Sequence, residues 1–147
     1  MLIRLKPEYV SENWEYFKDT ILDSIPEGKF KPEQIGNNLL TAVMSEMLIV
    51  YMSYQEVDGK NVVDSIMSLM IYQDMVSRSR DLVIYSLFAV KVIPEESWAD
   101  AYLALSEYAR KNNCGNITAY TANNKIRERF ETLVGSLDYS YCIIPLI

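Results

Sequence analysis

"DLVIYSLFAVKVIPEESWADAYLALSEYARKNNCGNITAYT", residues 81–121, decides the fold. Residues 81–93 are almost wholly apolar, which predicts a strand at the centre of a sheet, covered on both faces. From Glu95 to Asn112 the period changes: Trp98, Ala101, Tyr102, Leu105, Tyr108 and Ala109 share one helical face, and Trp98, Tyr102, Leu105 and Ala109 are expected buried against the sheet. "KNNCG" ends that helix, because asparagine and glycine both accept the left-handed C-cap conformation. "NITAYT", 116–121, is then a short strand, which the helical crossover makes parallel to the first.

Upstream, Ser11 reads as an N-cap for a helix carrying Trp14, Phe17, Ile21 and Leu22, ending near Ser24 before Pro26 and Gly28. Pro32 suits the first position of a second helix, Pro32 to Ser45, with Ile35, Leu39, Leu40, Ala42 and Val43 on its apolar side. "EMLIVYMSYQEV" (46–57) predicts a strand. "DGKN" (58–61) is a hairpin signal, since Asp and Gly tolerate positive φ. Residues 62–75 form the returning strand, and "SRSR" (77–80) turns the chain into the next. Downstream, Asn123 or Asn124 caps a helix bearing Ile126, Phe130, Leu133 and Val134 that closes at Gly135. "DYSYCIIPLI" (138–147) is a final strand, with Pro145 at a sheet edge or bulge. The order is ααβββαβαβ: an α+β class, one domain over 1–147, with a mixed, mostly antiparallel sheet flanked by helices. The strands at 47–54, 62–75 and 81–92 are expected antiparallel to one another.

At 147 residues, half of them hydrophobic, the chain can bury one real core. A net charge of −6 disfavours a nucleic-acid backbone or an anionic membrane surface as partner. The apolar runs "MLIVYM" and "LVIYSLFAV" are too short to span a bilayer, and "LIRLKPEY" lacks the apolar region of a secretory signal. The absence of histidine removes His-based triads, general bases and zinc ligands. Cys114 and Cys142 have no metal or redox spacing and read as reduced, buried thiols. No metal site and no catalytic residue is expected.

The element order, with Val90, Val92, Pro94 and Glu95 at the end of the central strand, "LSEYARKNNC" closing the helix, and Asn124 and Gly135 at their spacing, resembles the GNAT (Gcn5-related N-acetyltransferase) family. The likeness runs from about Asp19 onward. It implies acetyl-CoA held on the splayed central strand near Ala89, Val90 and Val92, with Asn124 in the last motif. Two departures set this sequence apart. That family grips the cofactor's diphosphate with a glycine-rich loop, because the backbone must approach the phosphates closely. Here "KVIPEES" has no glycine, and Glu95, Glu96 and Asp100 stand at the start of the helix, where they suit its dipole and would repel phosphate. The family's tyrosine acid falls on Glu131, with Arg127 and Ser136 at neighbouring motif positions; Tyr120, Tyr139 and Tyr141 are the candidate substitutes.

The resulting expectation is a GNAT-like protein with its cofactor loop lost, no cofactor and no cofactor-binding residues. It resembles small GNAT-like proteins of tailed phages. That likeness implies a non-catalytic, minor virion or assembly component working through protein–protein contacts, in the virion or the host cytoplasm. A homo-oligomer through a sheet edge stays open. The alternative is a divergent N-acetyltransferase using acetyl-CoA at Ala89, Val90, Val92 and Asn124. A further alternative is a host-directed phage inhibitor.

Overall fold

The computed structural model describes residues 1–25, 32–121 and 123–134. The elements run β1 (Leu2–Arg4), α1 (Pro7–Glu12), α2 (Trp14–Ser24), α3 (Pro32–Met44), β2 (Ile49–Val57), β3 (Lys60–Gln73), β4 (Arg80–Ala89), α4 (Glu95–Lys111), β5 (Asn116–Ala119) and α5 (Asn124–Val134). They form an α+β domain around a five-stranded sheet ordered β1-β2-β3-β4-β5. Strands β1 to β4 pair antiparallel and β5 runs parallel to β4, as the helical crossover requires. The expected final strand at 138–147, together with Gly135, Tyr139, Tyr141 and Cys142, lies outside the described residues. No described helix is long and apolar enough to cross a membrane.

Local chemistry explains most boundaries. Asp58 and Gly59 both have positive φ, 52° and 74°, the geometry that a two-residue turn needs to match strand twist. Asn113 adopts the left-handed conformation (φ 55°) that ends α4, and the Cys114 amide donates to the Ala109 carbonyl. At the next hairpin, Asp74 accepts from the amides of Val76 and Ser77 and from the Ser77 hydroxyl. These bonds hold its carboxyl below the usual aspartate range.

Three expectations are corrected at the N-terminal side. Ser11 is not an N-cap; it lies inside α1, which starts at Pro7, a residue well suited to a helix's first position. The single expected helix is broken at Asn13 into α1 and α2. Residues 2–4 form an edge strand that the sequence reading missed. Their partners, Tyr51 to Ser53, are far away in sequence, so no local signal marks them.

The sheet separates two cores. Helices α1 to α3 cover one face, where Val10, Phe17, Ile21, Leu39 and Val43 pack with Val50 and Ile66. Helix α4 covers the other, where Leu105 and Ala109 meet Met67, Leu69, Leu82 and Ile84, joined by partly buried Phe130 of α5. The apolar strand 81–93 is β4, interior as expected but flanking the central β3, and it stops at Ala89 instead of reaching residue 92.

Candidate functional site at the β4–β5 fork

Strands β4 and β5 pair only from Asp81↔Asn116 to Ile84↔Ala119, and the last contact is the Tyr120 amide donating to the Ile84 carbonyl at 3.1 Å. Beyond Ile84 the two strands separate. A bulge marks the point: β3 pairs Ser68 with Ser86 and Leu69 with Ile84, leaving Tyr85 as the extra residue on β4. Such an insertion bends the strand and strengthens its twist. Residues 86–89 of β4 therefore remain paired to β3 on one side, with no β5 partner on the other among the described residues. Tyr85 and Tyr120 meet edge to face across the fork, ring centroids 6.1 Å apart. Burial is the main cause that raises the Tyr85 phenol above its ordinary value, followed by Tyr120.

The fork opens into a cleft of about 880 Å³ between the sheet and α4, walled by Ser53, Ser65, Leu87, Trp98, Tyr120 and Phe130 among others. Its existence corrects the expected packing of α4. Leu105 and Ala109 are buried at 5% exposure, but Tyr102 is 36% exposed and Trp98 is only half buried, edge to face with Phe130. The buried residues of α4 all lie in its C-terminal half, and both aromatics of its N-terminal half line the cleft.

The junction expected to have closed the site is the five-residue connection Val90 to Pro94, between Ala89 and Glu95. Pro94 is the N-cap of α4 and makes no side-chain capping bond. Glu95 and Glu96 occupy the first turn, and Arg129 of α5 bonds to Glu95. A cation from the neighbouring helix thus offsets one of the two carboxylates.

The four alternative cofactor residues lie on three different segments, the end of β4, the connection to α4 and the start of α5. Ala89 ends β4 opposite Ser65, and the Val90 amide donates to the Asp64 carbonyl at 2.8 Å. Val92 lies beyond the strand, 91% exposed. Asn124 is the first residue of α5, while the cap is made by Asn123, whose Oδ1 accepts from the Lys125 amide at 2.9 Å. Of the stretch expected to splay, 89–92, Ala89 belongs to the part of β4 beyond the fork, and Val90 and Val92 follow the strand's end. Glu131, at the motif's acid position, is engaged by Arg127 at 3.3 Å. Cys114 is a free thiol that burial pushes up, Arg80 opposing and Asp81 adding, so it is no activated nucleophile.

One polar cluster was missed by the sequence reading. A second bulge, on β3 beside Ser53 and Tyr54, holds Asp64, which is fully buried. Ser53 Oγ and Gln55 Nε2 both donate to its carboxylate, the latter at 2.7 Å, and Ser53 Oγ lies 2.8 Å from Ser65 Oγ. A lone acid inside the run 62–72 was the available signal.

No family sequence model and no curated protein sequence matches the chain. Solved structures do. An acetyltransferase from Clostridium acetobutylicum, described as predicted and with acetyl-CoA, superposes with a TM-score of 0.65 at 11% identity, over 98% of this chain and 94% of that one. A ribosomal-protein-alanine N-acetyltransferase from Brucella melitensis biovar Abortus 2308 gives 0.63 at 11% identity, over 99% of both. An aminoglycoside N-acetyltransferase in complex with CoA gives 0.61 at 15% identity, over 100% of this chain and 98% of that one. The chain has the GNAT acetyltransferase-like fold.

Proposed function

We propose that the chain is a divergent N-acyltransferase that uses acetyl-CoA. The observation that carries the reading is the fork: β4 leaves β5 at Ile84, and among the described residues the backbone of 86–89 has no strand partner on its β5 side, beside the cleft. Unpaired backbone groups next to a cavity need partners, and the amides of a pantetheine arm supply donors and acceptors in extended geometry. Acetyl-CoA would bring an activated acyl group as its thioester. This chain would offer the edge of residues 86–89 to the arm, the uncapped first-turn amides of α4 to the phosphates, and Trp98 and Phe130 as apolar walls. Tyr120, at the fork beside Tyr85, is the phenol best placed to deliver a proton there, since Glu131 is engaged by Arg127. The similar structures that hold acetyl-CoA or CoA favour this reading over the expected absence of a cofactor.

Titration calorimetry with acetyl-CoA tests it, followed by a thiol-release assay over a panel of amines. A saturable isotherm below about 100 μM supports the proposal, and no saturation at about 1 mM ends it.

A second reading, a non-catalytic protein acting through protein contacts, is favoured by the glycine-free junction with Glu95 and Glu96 at the start of α4. Its phage virion or assembly form rests on sequence resemblance alone, and mass spectrometry of purified particles would test it.

A further inference from the structure

We propose that the outer face of α4 joins two copies of this chain, packed antiparallel and crossing at Leu103, with Glu96 of each copy meeting Arg110 of the other. The inference goes beyond the transferase reading and does not rest on it.

Leu105, Ser106 and Ala109 turn one side of α4 toward the sheet, and Leu103 stands on the opposite side at 65% exposure. It belongs to neither of the two cores. Ala99 and Ala104 beside it are exposed as well, so a second helix can approach the backbone closely there.

The charges select what covers this face. Helix α4 has 17 residues, and Leu103 is the middle one. Glu96 lies two heptad-like turns before it and Arg110 the same distance after it. That spacing falls about 20° short of two full turns, so the three side chains stand in one row, each charge about 10 Å along the axis from the leucine. Glu96 and Arg110 are both exposed, and among the described residues neither has an ion-pair partner. A row that reads negative, apolar, positive is complementary to itself when reversed. A two-fold axis at Leu103 therefore sets the two leucines against each other and makes two Glu96–Arg110 pairs, one at each end. A parallel pair would set like charges together and align the helix dipoles unfavourably. Asp100, also without an ion pair, falls one turn from Arg110 of the second copy and adds to the attraction. Glu107, which comes near that Asp100, is already engaged by Lys111 at 2.8 Å. A partner of a single sign would leave one end of the row unmatched.

One helix crossing buries less than the roughly 1,200 Å² at the low end of standard interfaces, so the dimer is weak, with a dissociation constant of about 100 μM. It also bears on the first turn of α4. Glu95 has Arg129 of its own chain, and in the dimer Glu96 gains Arg110 of the second copy, so both carboxylates are offset.

Sedimentation velocity between about 5 μM and about 1 mM, with neither cofactor nor substrate present, tests the interface. The mass should rise from one chain toward two, with its midpoint near 100 μM. Leu103→Asp, which sets two carboxylates together on the axis, should weaken association by about tenfold or more, and Arg110→Glu alone should do the same. Combining Arg110→Glu with Glu96→Arg exchanges the two ends of the row and should return association to within about threefold of native. Thermal melts establish that each variant is folded, and Leu103→Asp decides alone if the charge variants are not. A single chain at every concentration, association indifferent to Leu103→Asp, or no recovery in the folded double variant would overturn the inference. Dimers of a protein that does not bind acetyl-CoA keep the interface and remove the transferase reading. Acetyl-CoA binding by a protein that stays monomeric does the reverse.

Discussion

If α4 stands off the sheet at its start, two neighbouring turns of one helix must respond very differently to truncation. Leu105 is 5% exposed and packs in the α4-side core, so Leu105→Ala leaves a cavity. Such replacements cost about 2–5 kcal/mol, and about 3 is expected here. Tyr102 sits one turn earlier at 36% exposure on the cleft wall. Its ring already faces open space, so Tyr102→Ala loses a fraction of that, and alanine's better helix propensity returns up to about half a kcal/mol. The net cost should stay below about 1 kcal/mol. Urea unfolding measures both. With a slope of roughly 2 kcal/mol per molar, the midpoint should fall by about 1.5 M for Leu105→Ala and by under 0.5 M for Tyr102→Ala. Equal shifts at unchanged slope would mean that the helix is packed along its whole length, as its periodicity alone suggests, and would remove the cleft on which the functional reading stands.

Gly59→Ala should destabilise by about 1 kcal/mol although nothing lies near the added methyl, because φ of +74° strains any L side chain; a thermal melt shows it. Asp74 should titrate below the ordinary 3.8 in an NMR pH series, since the amide and hydroxyl of Ser77, then the Val76 amide, favour its charged form. With the folded value depressed, its contribution is present above the unfolded value and lost as pH falls through the folded one, so amide protection at Val76 and Ser77 should fade in that acid window. Glu95→Gln should tighten acetyl-CoA by roughly threefold to tenfold in calorimetry, by removing a carboxylate from the first turn of α4 and freeing Arg129. The gain should shrink in high salt, and no gain at low salt would contradict the fit to phosphates.

The parts of this fold that were legible are those whose cause is local. Asp58 and Gly59 announce their own turn, Pro32 its helix, and the change of period at Glu95 the crossover that makes β5 parallel. Residues 2–4 form a strand only because Tyr51 to Ser53 offer an edge, and nothing within the triplet encodes that. The α4 face was legible as a helical stripe, but periodicity says which residues point inward and not whether the sheet is there to meet them, so Trp98 and Tyr102 were assigned to a core that is a cleft. Bulges defeat alternation altogether. The extra residues Asp64 and Tyr85 shift the parity of β3 and β4, and both mark places where the candidate site gathers its polar groups.

The same meander carries a kinetic consequence. Strands β2, β3 and β4 are joined by connections of two and six residues, Asp58–Gly59 and Asp74–Ser79, so their ladders close short loops at small entropic cost. Strand β1 must wait for a partner separated from it by three helices, and β5 for α4 to return across the sheet. We therefore expect refolding in two stages, with the amides of β2 to β4 acquiring protection first and those of β1 and β5 later, in pulse-labelled hydrogen exchange. Simultaneous protection of all five strands would show that the helices, and not the hairpins, organise the transition state. On the staged route the fork is the last seam to be sewn, so an early folding intermediate would present the bare edge of β4, and conditions that slow β5 docking should promote aggregation through that edge.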